Sequence, residues 1–326
     1  MGGMAAEVDV SPGALDALRV PLTGYCYRML GSAADAEDAV QETLIRACAR
    51  LDTFDPARAR LSTWVHAIAT NICLDMLRAA WRRMLVWEGP AGADFDPDAV
   101  LPGERWVEPA PDARLIGPDD PADVVIRRES VRLAFVAALQ HLPPRQRAAL
   151  VLREVLEFTA ADVAGMLGTS TAAVNSAVQR ARATLNEVRP APTAALDLAD
   201  ARDRELLDRY TTAFETHDVE LLASLLCADV ETSMPPFAWR VTGRGAFLAM
   251  FAATDACVDD RLVPVAFNGS AGFGQYRPDT AGVLRPFALI AVEARDGRIA
   301  RTVTFLGSGD RFPEFGLPEK LVSAGR

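Results

Sequence analysis

Asn175, Ser176, Gln179, Arg180 and Arg182 fall within about two turns of a predicted helix. They carry amide, hydroxyl and guanidinium groups. These are the donors and acceptors that meet base edges and phosphates in a DNA groove. On a helical wheel Val174, Ala177, Val178, Ala181 and Leu185 share a narrow arc, while Ala172, Ser176, Gln179, Arg180 and Ala183 project the other way. That face is small and polar with cationic edges, so it permits close approach to a groove. A second concentration of cations lies between Pro56 and Met84, where five arginines accompany one acid. Asn71, Arg78, Arg82 and Arg83 belong to it. A third set is acidic: Asp35, Asp38 and Glu42, with Gln41 beside them, lie on one side of a predicted helix. From the residues alone, a solvated face explains those acids.

Other chemistries find little support. No Ser-His-Asp set, glycine-rich phosphate loop or metal-ligand cluster is discernible, and no cofactor is expected. The three histidines are far apart, and Cys26, Cys48, Cys73, Cys227 and Cys257 never form a CxxC pair. That pattern argues against a disulfide framework or zinc site and fits a reducing cytoplasm. His217 and Asp218 are adjacent but read as a helix-boundary turn with Asp218 as cap. No run of about 18 apolar residues exists, so no membrane span is expected. No secretory signal is evident at the N-terminus.

The formal net charge of −10 hides a division. Residues 1–24 carry about −2, 25–84 about +1, 85–129 about −7, 130–189 about +3 and 190–326 about −5, so the positive charge is local. Pro, Gly and Asp crowd Gly89 to Ala122, which reads as a linker, and "RPAPTAA" (189–195) is a shorter break.

The elements that must position these residues follow from periodicity. In the first block Val40, Leu44, Ala47 and Leu51 make one helical stripe. Ser62 is read as the cap of the next helix, with Val65, Ile68, Ile72, Met76 and Ala80 inside. Trp64 and Trp81 read as packing residues. Between the helices, Asp52 to Arg60 forms a polar loop interrupted by Pro56. The second block has an amphipathic helix (130–140), a helix opened by Pro143 and Pro144, and then a helix-turn-helix. Thr159 caps its first helix, Gly168 supplies the left-handed turn and Ser170 caps the second. The third block begins with two helices. Strand-like runs follow, with Asp296-Gly297 as a hairpin turn. Trp239, Phe267, Phe273, Tyr276, Phe287 and Phe305 are expected to pack the sheet. Helices followed by a run of antiparallel strands imply an α+β domain.

The stretches "DAEDAVQETLIRACARLDTFDPARARLSTWVHAIATNICLDMLR" and "LQHLPPRQRAALVLREVLEFTAADVAGMLGTSTAAVNSAVQRARATL" together resemble regions 2 and 4 of bacterial extracytoplasmic-function (ECF) sigma factors of the sigma-70 family. "ERWVEPAPDARL" looks like the subgroup with a C-terminal extension. Residues 197–326, with "FETHDVELLASLLCADV" and "MPPFAWRVTGRGAFLAMF", more loosely resemble SnoaL-like domains, the cone-shaped fold shared with nuclear transport factor 2. The resemblance implies a multidomain chain with two all-α sigma domains followed by an α+β SnoaL-like cone. Its divisions are 1–87 (region 2), 88–122 (acidic linker), 123–188 (region 4), 189–196 (short linker) and 197–326 (regulatory domain).

It also implies roles and partners. Asp35, Asp38, Gln41 and Glu42 would dock on core RNA polymerase. The 52–60 loop and Asn71, Arg78, Arg82 and Arg83 would engage the −10 element. Asn175, Ser176, Gln179, Arg180 and Arg182 would enter the −35 major groove. The expected activity is promoter-specific transcription initiation rather than enzymatic catalysis. The C-terminal domain would regulate it in cis, by contacting the sigma domains or binding a small molecule. Two alternatives stay open: a ligand-responsive DNA-binding regulator acting without polymerase, and a small-molecule enzyme fused to a DNA-binding module. An acidic clamp face followed by a basic helix favours the sigma-factor reading over both alternatives, because an ordinary repressor has no use for that pair.

Overall fold

The computed structural model describes residues 12–79, 106–117, 128–188, 192–237, 239–253 and 257–321. The chain divides into two compact units. The first comprises Met1–Arg82, Ala113–Val131 and Phe135–Arg189, and the second Arg83–Asp112, Arg132–Ala134 and Pro190–Arg326.

The first unit is helical. After the short α1 (Pro12–Asp16), α2 (Arg19–Leu30) is buried from Leu22 to Leu30 and packs with both α3 (Ala33–Ala49) and α4 (Leu61–Ala79). Gly31 ends α2 in the left-handed conformation at φ 73°, and its N–H donates to the Tyr27 carbonyl. Ser32 then caps α3, its Oγ accepting from the Asp35 N–H at 3.1 Å. The inward stripe of α3 is Ala36, Ala39, Val40, Thr43 and Ala47. The expected Leu44 and Leu51 are only half-buried, since Leu44 falls at the edge of that arc and Leu51 lies beyond the end of α3, in a short 3-10 turn over Leu51–Thr53. Helix α4 starts at Leu61, so Ser62 lies inside it rather than at its cap. The Ser62 carbonyl is used instead, by His66 Nδ1 at 2.8 Å. The single turn α5 (Asp112–Leu115) buries Leu115, whose carbonyl sits where a Cβ on Gly24 would come within 2.7 Å. Glycine is required at that close approach.

Helix α6 (Leu133–Gln140) is shorter than the expected 130–140 helix, since a bend at Arg132 separates it from the turn at 128–131. Pro143 and Pro144 open α7 (Pro144–Leu150) as expected, and a π-turn follows over Val151–Val155. In the helix-turn-helix, Thr159 and Asp162 cap each other's N–H groups at the start of α8 (Ala160–Leu167). Gly168 turns the chain at φ 58°, and Ser170 Oγ accepts from Ala173 at the start of α9 (Thr171–Val188).

The second unit contains α10 (Ala201–Glu215) and α11 (Val219–Leu225), capped by Asp200 and Asp218. Next come β1 (Leu226–Ser233), β2 (Arg240–Thr242), α12 (Arg244–Ala252), β3 (Arg261–Phe267), β4 (Ser270–Pro278), β5 (Leu284–Arg295) and β6 (Arg298–Leu306). The sheet order is β2-β1-β6-β5-β4-β3. The expected antiparallel run is corrected at one place: β1 and β6 pair in parallel. A long excursion through α12 and four strands separates them, so hairpin logic does not govern their pairing. The three helices and one sheet face share a core that includes Tyr210, Phe214, Phe247, Phe251, Phe273, Ile290 and Val292. Of the aromatics expected to pack the sheet, Phe267, Phe273, Tyr276 and Phe305 are buried, while Trp239 and Phe287 are half-buried. Asp296 and Gly297 form the hairpin turn with φ of 53° and 71°.

Part of the supposed linker is structured. Val107 and Ala110 are buried, and the Ala110 N–H and carbonyl are both hydrogen-bonded by Asn268, at 2.8 and 3.2 Å. Asp112 Oδ1 accepts from the Gly269 N–H at 2.7 Å. Asn268 and Gly269, with φ of 50° and 70°, form a second tight turn, and its tip grips this segment.

Glu157 adopts φ 56° in the bend before Thr159. A non-glycine residue there costs about 1 kcal/mol. Glu157→Gly is therefore expected to leave stability unchanged or raise it by up to about 1 kcal/mol in urea unfolding; a loss of that size would show that the side chain holds the bend.

Candidate nucleic-acid interface

Helix α9 turns Val174, Val178 and Ala181 inward, as the wheel predicted, with Ala177 and Leu185 half-buried. Asn175, Ser176, Gln179, Arg180 and Arg182 are all exposed. Asn175, Ser176, Gln179 and Arg180 make no side-chain hydrogen bond among the described residues, so their polar groups face water. Arg182 differs: its Nη2 pairs with Glu154 Oε2 at 2.5 Å, with the guanidinium group still largely exposed. The helix thus presents a shallow surface of small side chains with Arg180 on one edge and the Arg182–Glu154 pair on the other.

The −10 candidates fall on the outer side of α4. Asn71 is exposed and donates to the Ala67 carbonyl at 3.0 Å. Arg78 pairs with Asp75 at 2.7 Å, both well exposed. Arg82, Arg83 and Trp81 lie outside the described residues. Trp64 is half-buried against Phe54 of the preceding loop, with ring centroids 5.3 Å apart, so it packs as expected. Arg58 and Arg60 of that loop are exposed.

On α3, Asp38 and Gln41 are exposed, Asp35 is half-buried in the first turn, and Glu42 holds Arg46 at 2.6 Å. The same face carries Ile45, 55% exposed, one of two large apolar residues so exposed among the described residues. Reading charge alone missed it. Its signal was present, however, since Ile45 falls outside the inward stripe at helical spacing.

The buried side of α4 holds a group that periodicity also missed. His66 is 3% exposed, between Tyr25 of α2 and Phe158 before α8, with ring centroids 5.6 and 5.1 Å away. Its Nδ1 meets the Ser62 carbonyl, and its Nε2 has no partner. Burial lowers its pKa to about 4, against a smaller upward push from the Ser62 carbonyl. The Tyr25 hydroxyl, 2.7 Å from Thr70 Oγ1, is pushed well above its ordinary value, mainly by burial.

Comparison with known proteins gives this arrangement its family. Sigma-70 region 2 matches residues 15–83, and Sigma-70 region 4 matches residues 132–185. Over 310 residues the chain is 42% identical to the ECF RNA polymerase sigma factor SigG of Mycobacterium tuberculosis, covering 93% of this chain and 82% of that protein. The chain belongs to the ECF RNA polymerase sigma factors. It is also 32% identical over 215 residues to SigJ of the same species, covering 66% of this chain and 62% of SigJ. The crystal structure of M. tuberculosis SigJ matches 94% of this chain and all of its own, with TM-score 0.59 and 25% identity. The helices of this sigma factor's first unit are therefore regions 2 and 4, and its second unit is the SnoaL-like C-terminal domain. Core RNA polymerase and promoter DNA are the partners of the family. Among the described residues no helix is long and apolar enough to cross a membrane.

His66 generates a pH prediction. The folded sigma factor holds it neutral, whereas an unfolded chain protonates it near 6.5. The associated stability is complete above pH 6.5 and declines as pH falls towards 4, by about 2 kcal/mol at pH 5. Urea unfolding at pH 7 and pH 5 should show the parent losing about that much more than His66→Phe. Equal losses in both proteins would contradict the assignment.

Proposed function

We propose that α9 of this ECF sigma factor reads the −35 element in the major groove through Asn175, Ser176, Gln179, Arg180 and Arg182. The observation that carries this is the exposed, small and polar face of α9, on which Arg180 has no competing partner among the described residues. Arg182 takes the lesser role of phosphate contact. Leaving Glu154 costs it little, because an exposed ion pair is worth at most about 1 kcal/mol. Asn71, Arg78, Arg82 and Arg83, with the 52–60 loop, engage the −10 element, cations along the backbone and the loop providing a place for an unstacked base. Asp35, Asp38, Gln41 and Glu42 dock on core polymerase, and Ile45 gives that polar ring an apolar centre.

The C-terminal domain regulates the sigma domains in cis, by contacting them or by binding a small molecule. Its support is charge: residues 190–326 carry about −5 and residues 85–129 about −7, against about +3 on 130–189. Acids on the same chain compete with phosphates for the arginine surfaces. The factor acts in the cytoplasm, as a regulator and not an enzyme.

Two experiments test this reading on a promoter selected from random-sequence DNA by the holoenzyme. Arg180→Ala should weaken −35 binding by roughly 1–3 kcal/mol and relax preference at one base position; unchanged affinity would remove Arg180 from the contact set. Run-off transcription by the full chain should be weaker than by a protein ending near residue 195. Equal activity and DNA affinity would remove cis-regulation.

A further inference from the structure

Region 4 begins and ends at one place in the second unit. That unit includes Arg132–Ala134, where the region 4 match opens, and the chain from Pro190, just after α9. The buried Arg132 guanidinium donates to the Thr193 carbonyl at 2.8 Å and to Thr193 Oγ1 at 2.9 Å, so the two ends of region 4 are tied together across 61 positions. Thr193 Oγ1 in turn donates to Glu293 Oε2 of β5 at 2.8 Å, and Glu293 Oε1 lies 3.4 Å from Arg132 Nη2. Next to it, Ala194 and Ala294 exchange N–H to carbonyl bonds of 2.7 and 3.3 Å. The tie therefore rests on β5. Glu293 is itself held. Arg301 of β6, almost inaccessible, donates to Glu293 Oε2 at 2.7 Å and to Glu231 Oε2 of β1 at 3.0 and 3.2 Å. Glu231 Oε1 lies 3.8 Å from Arg240 Nη1 of β2. The parallel register of β1 with β6 puts Glu231 opposite Arg301, and the antiparallel register of β5 puts Glu293 opposite it from the other side. Charges thus alternate across four strands and end at Arg132. Buried guanidinium groups keep their charge, so each step depends on the carboxylate beside it.

A buried ion ladder adds little stability over apolar packing. What it supplies is geometry, since a guanidinium fork meets its acceptors in one orientation. A small cavity against Arg132 and Glu293, lined also by Leu133, Phe267, Ala271 and Val292, leaves that side open to movement. We propose that Arg132, Thr193 and Glu293 form a seat through which the C-terminal domain controls region 4. A shift of β5 against β6 moves both ends of region 4 together, and a broken ladder releases them. Glu293 is a positioning residue that acts through Arg132 and Thr193. The inference rests on the cis-regulation reading and names its route; the base contacts of α9 do not enter it.

Hydrogen exchange on the full chain reads the seat directly. Glu293→Gln keeps the shape and the acceptor for Thr193 but removes the charge facing Arg132 and Arg301. It should speed exchange about ten-fold in α6 and in the last turn of α9, the change expected from losing one charge-assisted hydrogen bond, while β4 exchanges as in the parent. Arg132→Gln should do the same, and the double variant should add little, because both substitutions break one link. Thr193→Val removes only the hydroxyl relay and is the decisive variant if the charge variants do not fold. Each should raise run-off transcription by core polymerase at limiting factor concentration. Unchanged exchange at both ends of region 4, or an additive double variant, would overturn the seat. Faster exchange without a gain in transcription would overturn control through it. Cis-regulation itself is decided by the protein ending near residue 195, so the two failures are distinguishable.

Discussion

A helix that ends inside a protein leaves carbonyl groups with no water to turn to, and α2 ends that way. Its carbonyls at Arg28 and Met29 are met by Gln140 and Arg147, residues that come more than a hundred positions later. Burying such a helix end is tolerable only where donors are delivered with good geometry. The same requirement runs the other way for the guanidinium groups, which cannot lose their charge and must find acceptors wherever they are buried. Arg28 and Arg147 find carbonyls and a hydroxyl across the region 2–region 4 boundary. Each region thus completes the hydrogen bonding of the other, and the apolar contact of His66 with Phe158 forms beside this exchange.

The devices legible in the sequence were those whose physics is local. Thr159, Gly168, Ser170, Asp218 and Asp296-Gly297 each act within about four residues, so residue type and spacing suffice to read them. The exposed face of α9 was legible for the same reason, since a helix with one inward stripe defines its outward face. The pairs that failed are distant in sequence. The parallel partnership of β1 and β6 joins positions about seventy residues apart, and nothing in either strand announces the other. The segment around Ala110 has the composition of a linker, yet Asn268 satisfies both of its peptide groups from 158 positions away. The Asn268-Gly269 turn itself was available as a signal; what it would hold was not. His66 was unremarkable on a stripe test because its neighbours are aromatic rings from two other elements.

Charge shows why the acidic total does not conflict with DNA binding. An interface reads the local field within about a Debye length, roughly 8–10 Å at physiological salt, not the sum over the chain. The acids of residues 85–129 and of the C-terminal domain are concentrated away in sequence from the arginines of α4 and α9. On α3 the acids surround Ile45, whose exposure would be a solubility liability on an unpartnered surface. An apolar residue ringed by polar ones is the general pattern of a protein interface, with an apolar centre and a polar rim.

The two arginines of α9 share charge, helix and exposure. The sequence already makes Arg180 the firmer base-contact candidate and leaves Arg182 equally apt for a phosphate or plain solvent. Their surroundings differ in the same sense. Arg182 is held by Glu154 from the preceding segment, which fixes its guanidinium at the rim of the helix-turn-helix, suited to a backbone contact whose position matters more than its chemistry. Arg180 has no such tether and lies on the opposite edge of a face lined by Ala172, Ser176, Gln179 and Ala183. Small neighbours let that edge descend into a groove, and an untethered guanidinium can present its planar fork to two acceptors of one guanine. On the proposed −35 reading, specificity on this helix falls to the arginine that the described residues leave unoccupied, and orientation to the one that Glu154 holds.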